Sequence, residues 1–272
     1  MSSRFTAYAS PADVDLVSQV EEIAHKAGER LLALYSPSIR PTDRQSMLTA
    51  ARANEEAAAA GLRAALEQAR PDARFSDEQN ETSSLPDGEW WVVDTVEGNV
   101  NHVHGLSEWC VSIALVRDNV PVLTVIRQPV GDLTFTAVLD GGAFVNDVPL
   151  RVSAKNGLDI AVVSTGQAEA GQADTYRRIG ESITAMLGSA LAVRAQVPST
   201  FPILLVAAGH SDAFWQYEPN LPGVAAGVLL TTEAGGTVST IDGGPWAPGA
   251  DTILIAAPGV HAAALDVLGS VS

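Results

Sequence analysis

The run Trp90-Trp91-Val92-Val93-Asp94-Thr95-Val96-Glu97-Gly98-Asn99-Val100-Asn101-His102-Val103-His104-Gly105 holds the side chains best suited to chemistry in this sequence. Four apolar residues, Trp90 to Val93, read as a strand that delivers Asp94 and Glu97 into a turn containing Gly98. Two carboxylates that close repel one another when both are ionised, and a divalent cation between them removes the conflict. The spacing therefore suits metal binding. His102 follows Glu97 by five residues, which makes it either an acid/base group beside such a site or a packing residue. His25, His210 and His261 carry no metal-ligand spacing.

These side chains need a frame. Ser10-Pro11-Ala12-Asp13 reads as a capped helix start, followed by Val14, Val17, Val20, Ile23, Ala24, Ala27, Leu31 and Leu34 at helical spacing up to Ser36-Pro37. A second helix is expected over 48–69, interrupted only by Gly61. Short apolar runs at 90–93, 111–116, 122–126 and 133–138, separated by turn residues, predict an antiparallel meander. From Leu158 the pattern alternates: strands at 160–164, 191–197 and 252–257, helices at 174–187, 201–208, 224–234 and 260–268. That alternation predicts an α/β half whose sheet is covered on both faces. A soft boundary near residue 155 gives an α+β half, 1–155, and an α/β half, 156–272, with no long linker between them.

The composition narrows the partners. At 272 residues the chain can bury a full core, and no apolar run reaches the ~20 residues of a membrane span. Met1 to Pro11 lacks a basic segment followed by an apolar core, so no secretory signal is expected. A net charge of −16 repels phosphate backbones and anionic lipid, which argues against nucleic acid and membrane as partners. Cys110, the single cysteine, has no disulfide partner in the chain and lies in the apolar run 109–116. It reads as a buried structural thiol, and a reducing cytoplasm fits it best.

The run from Trp90 to Gly105 resembles the signature of the inositol monophosphatase family of magnesium-dependent phosphatases, W-x-x-D-P-x-D-G-T-x-N-F-x-H-G. Thr95 replaces its proline, Glu97 its second aspartate, Asn99 its threonine and His102 its phenylalanine. Three other stretches are similar to the family in the same order. Val111-Ser112-Ile113-Ala114 is like the strand after the signature. Gly142-Ala143-Phe144-Val145-Asn146, running on to Val152-Ser153, is like its G-A-F-x-N segment. Val224-Ala225-Ala226-Gly227, with Glu233-Ala234-Gly235-Gly236 beyond it, is also family-like. The resemblance implies a layered α-β-α-β-α sandwich with the active cleft between the two halves.

It also implies a metal cluster, and this chain departs from it. The family holds two or three magnesium ions that activate water and stabilise the leaving oxygen. Asp77, in Ser76-Asp77-Glu78, matches the ligand of an upstream G-E-E turn; Asp94 matches the bridging aspartate, and the Val96 carbonyl a backbone ligand. Glu97 can ligate, but its extra methylene moves the oxygens by roughly an ångström, and magnesium demands near-ideal geometry. Pro222-Gly223-Val224-Ala225-Ala226-Gly227 aligns with W-D-x-A-A-G, which puts Gly223 where a ligand aspartate belongs. Arg52, after Thr49, aligns with a further aspartate. Asn99 stands for the threonine that orients the attacking water, and Gln216 for a glutamate that grips substrate hydroxyls. Val197–Pro202 stands for the pocket segment G-S-A-A-L-D, and His104 matches the family's own histidine.

The expectation is therefore an inositol-monophosphatase-like protein that binds a small polar ligand, phosphorylated or not, with two-metal hydrolysis impaired or turned to other acid/base chemistry. Asp94, Glu97, Asn99 and His102 are its candidate catalytic residues, and Gly98, Asn99, Gln216 and Gly223 its ligand contacts. Asp77, Asp94, Val96 and Glu97 are its candidate metal ligands, holding at most one weakly bound magnesium. The protein is expected to be a cytoplasmic homodimer. The alternatives are a working magnesium phosphomonoesterase, with Glu78 or Glu218 replacing a lost ligand, and a non-catalytic scaffold.

Overall fold

Helix α1 (Pro11–Leu34) follows from its apolar stripe: Leu16, Val17, Val20, Ala24, Ala27 and Leu31 are all buried on one face. The computed structural model of the protein describes residues 4–77, 83–168 and 171–271. Ser10 occupies the cap position but makes no side-chain capping bond, and Asp13 is buried against Arg117 at 2.9 Å rather than capping the first turn. The helix expected over 48–69 is two helices, α2 (Arg44–Ala59) and α3 (Leu62–Ala69). α2 starts earlier than expected because Asp43 and Ser46 form a reciprocal capping box. It stops because Gly61 takes φ +74°, a left-handed value that breaks the helical path.

The meander is present and longer than expected. Strand β1 (Arg74–Phe75) lies parallel to β2 (Glu89–Glu97). Then β3 (Cys110–Arg117), β4 (Val120–Gln128), β5 (Leu133–Val138), β6 (Gly142–Val145) and β7 (Val148–Pro149) follow antiparallel in sequence order. Asp118 and Asn119, at φ +50° and +65°, close the β3–β4 hairpin as a tight two-residue turn requires.

The second half supplies β8 (Val162–Thr165), α5 (Ala173–Leu187), β9 (Ala192–Ala195), α6 (Thr200–Ala207) and β10 (Ala213–Tyr217). It continues with α7 (Leu221–Glu233), β11 (Thr237–Ser239), β12 (Thr252–Ala256) and α8 (Pro258–Leu268). Its sheet runs β11-β12-β10-β8-β9. The central strand β10 has no counterpart in the sequence reading. All five of its residues are buried, so it shows no apolar–polar alternation to mark it.

Packing stacks these elements in five layers. Helices α1–α3 cover one face of the first sheet, meeting Trp91, Val111, Ile113 and Leu123. Trp90, Val92, Ala114 and Ile126 point to the other face and meet Leu204, Leu221, Ala225 and Leu229 of α6 and α7. The opposite sides of those two helices, Ile203, Val206, Val224 and Val228, pack on Phe214, Ile253 and Ile255 of the second sheet. Met186, Val260, Ala264 and Leu268 of α5 and α8 close its outer face. This is the α-β-α-β-α sandwich. Because α6 and α7 are buried between two sheets, they are apolar all round. Among the described residues no helix is long and apolar enough to cross a membrane.

Candidate functional site

Asp94 and Glu97 lie on β2 itself, not in a turn beyond it. In a regular strand, residues three apart point to opposite faces. Here Asp94 pairs with Ser112 and Glu97 with Cys110, so three steps on β2 span two on β3. That bulge re-phases the strand and brings both carboxyls to one side. Asp94 Oδ1 accepts from the Val96 N–H at 2.9 Å, which fixes its direction. Glu97 is buried and accepts from the Thr200 N–H at 3.4 Å. Burial, and then the Asp94 carboxylate beside it, push the Glu97 carboxyl well above the usual carboxylate range. Burial likewise pushes the Cys110 thiol up, consistent with a structural cysteine rather than a nucleophile.

After Glu97 the chain turns through Gly98, at φ +84°, into the short helix α4 (Asn99–Val103). A side chain at Gly98 would also meet the Glu108 carbonyl at 2.6 Å, so only glycine fits. Asn101 donates to the carbonyls of Glu108 and Val197 at 2.8 and 2.9 Å, tying α4 to the cis Val197–Pro198 segment. Asn99 is turned toward α2. Its amide donates to the Ala51 carbonyl at 3.0 Å and to Glu55 at 3.2 Å, and accepts from Asn54 at 2.8 Å. His102 does not reach the cavity. It is buried, bonded to the Leu31 carbonyl and to Asn54 at 2.9 Å each, and boxed by Tyr35 and Trp109. Of its two sequence readings, the geometry fits packing and corrects the acid/base assignment.

Across the cavity stands the start of α7. Asn220 caps this helix, its Oδ1 accepting from the Gly223 N–H at 3.0 Å. A Cβ on Gly223 would lie 2.6 Å from that same oxygen. A side chain at Gly223 would therefore require the Asn220 carboxamide to shift. Beside it, Ser199 donates to Gln216 Oε1 at 2.7 Å, and Glu218 follows β10 at φ +48°.

These walls enclose a cavity of about 410 Å³. Asp94, Val96, Glu97, Gly98, Asn99, Gln216 and Gly223, all expected at the site, line it. Asp77 is exposed and is not a lining residue, and Arg52 is exposed on α2 without reaching the cavity, contrary to both expectations. Glu78 lies outside the described residues. Glu55, three positions beyond Arg52, lines the cavity instead, and the sequence alignment missed it. The buried face of α2 through Asn54 and Ala58 is the signal that places Glu55 beside α4. Glu218, named in sequence only as a substitute ligand, lines the cavity too. Four carboxylates thus face it, and no Lys, Arg or His is among its described lining residues.

Asp94 and Glu97 are adjacent hard-oxygen donors in a site without competing cations. No group of three or more His, Cys, Asp or Glu that could hold a metal converges among the described residues.

Comparison with known proteins bears on the family and the fold. The model of the inositol monophosphatase family matches residues 13–268. The inositol-1-monophosphatase of Rhizobium meliloti (strain 1021) is 35% identical over 184 residues, 67% of this chain and 69% of that protein. The native crystal structure of the extragenic suppressor protein suhB from Bartonella henselae is similar at a TM-score of 0.78 and 28% identity, covering 94% of this chain and 99% of that one. The inositol monophosphatase of Anabaena shares the fold at a TM-score of 0.78 and 24% identity, covering 95% and 96%.

Proposed function

The chain belongs to the inositol monophosphatase family, and from that premise we propose that its cavity binds a small polar ligand, phosphorylated or not, with two-metal hydrolysis impaired. The family is generally magnesium-dependent. When bound, magnesium polarises a phosphate oxygen and lowers the pKa of coordinated water. In this chain Asp94 and Glu97, with the Val96 carbonyl, would hold one such ion. Gln216 and Ser199 orient the ligand from the opposite wall, and the Gly98 turn keeps the floor open for it. The observation that carries the reading is Gly223: it lines the cavity and has no side chain to coordinate an ion. A lost ligand of the innermost shell is hard to compensate.

The test is calorimetry with magnesium beside turnover of an aryl phosphate. One weak site or none, with little turnover, is expected. Two tight sites per chain and robust magnesium-dependent hydrolysis would overturn the reading. A second reading, a working phosphomonoesterase, draws on Glu55 and Glu218, two carboxylates on the same cavity that the family signature does not supply. It predicts that E218Q abolishes turnover. Family membership also supports a cytoplasmic homodimer; a sedimentation mass near 28.3 kDa, that of one chain, would count against the dimer.

A further inference from the structure

Two departures from the family signature, Asn99 and His102, are three residues apart, one turn of α4. Both bond to one residue of α2, Asn54, which is 3% exposed. The polarity of this chain of hydrogen bonds is fixed at both ends by groups that can only accept. At one end His102 Nε2 faces the Leu31 carbonyl, so Nε2 carries the proton and Nδ1 of the neutral ring accepts. Burial holds the imidazole below its ordinary pKa, consistent with that neutral form. At the other end the Asn99 nitrogen faces the Ala51 carbonyl and the Glu55 carboxylate, so Asn99 turns its oxygen to Asn54. Asn54 is left with two acceptors, and the two hydrogens of its amide match them. Reversing either amide would set like dipoles against each other in a buried site.

We propose that Asn54 and His102 are positioning residues of the cavity. Acting from behind its wall, they fix the Asn99 amide and, through it, hold the Glu55 carboxylate on the α2 side. Asn99 then spends both hydrogens inside the protein, and Glu55 is what the α2 wall presents to a ligand. This rests on the cavity reading only for its use; the hydrogen-bond polarity is tested without any ligand.

The first measurement is the nitrogen-15 spectrum of the His102 ring in the unmodified protein. The Nε2–H tautomer is expected, and a proton on Nδ1 would overturn the proposal. The second uses N54D, whose carboxylate cannot donate. His102 Nδ1 must then become the donor, so the ring's titration midpoint should rise by about one pH unit or more. Tyr35 is the titratable group in contact with the ring, and its hydroxyl donates to the Gly105 carbonyl; Leu31 and Trp109 are not titratable. A midpoint unchanged in folded N54D would overturn the proposal. The third uses H102F, which restores the family's residue in an aromatic box. The Asn99 side-chain amide hydrogens should exchange with solvent about fivefold faster or more, and equal exchange would overturn the proposal. If N54D does not fold, the wild-type tautomer and the H102F exchange decide the matter. A cavity that binds nothing would defeat the proposed function and leave these three outcomes intact.

Discussion

Strand β2 begins at Glu89 and ends at Glu97, and the two carboxyls live under opposite conditions. At the first end Arg70 bonds Glu89 at 2.6 Å and Arg117 at 2.8 Å, and together they hold it below the usual carboxylate range. Arg117 also reaches the buried Asp13 from α1. At the far end no arginine is among the described residues lining the cavity; burial and then Asp94 push Glu97 the other way. One residue type on one strand is a structural anchor where guanidinium groups meet it, and a carboxyl pushed toward its neutral form where burial and another acid surround it. The difference lies in what the neighbouring elements bring, not in the strand.

Removing the anchor should have the largest effect. R117A leaves Asp13, 1% exposed, without its ion-pair partner and strips one from Glu89. A loss of about 2 kcal/mol is expected, below the full cost of breaking a buried pair because Arg117 is a third exposed. Urea unfolding measures it, and a loss under about 0.5 kcal/mol would erase the distinction between the two ends.

Adding the missing cation sharpens the contrast at the other end. Magnesium at about ten times its dissociation constant should raise the unfolding free energy by about 1.4 kcal/mol, seen as a few degrees in Tm. E97Q should abolish that rise and E89Q should keep it. Equal responses of the two variants would mean that the cation is not held at the Glu97 end.

The smallest effect is the pH dependence of the anchor. The folded pKa of Glu89 is depressed, so its stabilisation is complete above the unfolded value, about 4.3, and is lost as pH falls through the folded one. The stability gap between wild type and E89Q should therefore narrow below about pH 4 by a few tenths of a kcal/mol, the scale of a partly exposed pair. Denaturation midpoints at several acid pH values report it, and a gap that widens on acidification would contradict the assignment.

Periodicity made most of the frame legible. The stripe of α1, the meander from β2 to β5 and the alternation after residue 158 were all readable, because local spacing decides which face is buried. The Asp94–Glu97 pair was readable as well, as were the substitutions at Asn99, His102 and Gly223. Tertiary structure decided what those residues do. The three-residue spacing of the acids implies opposite faces until a bulge, visible only in the pairing with β3, restores one face. His102 turns away from the cavity because α1 and α2 bring acceptor and donor to its two nitrogens. Glu55 lines the cavity and Arg52 does not, because the packing of α2 on α1 and α4, which spacing alone does not give, sets the positions it turns to the cavity. At Gly223 the sequence showed a glycine where the family signature has an aspartate, and only the fold showed Asn220 capping the helix onto its N–H. Spacing along a chain determines local geometry, whereas hydrogen-bond partners and charge neighbours come from residues distant in sequence, brought together only once the layers pack.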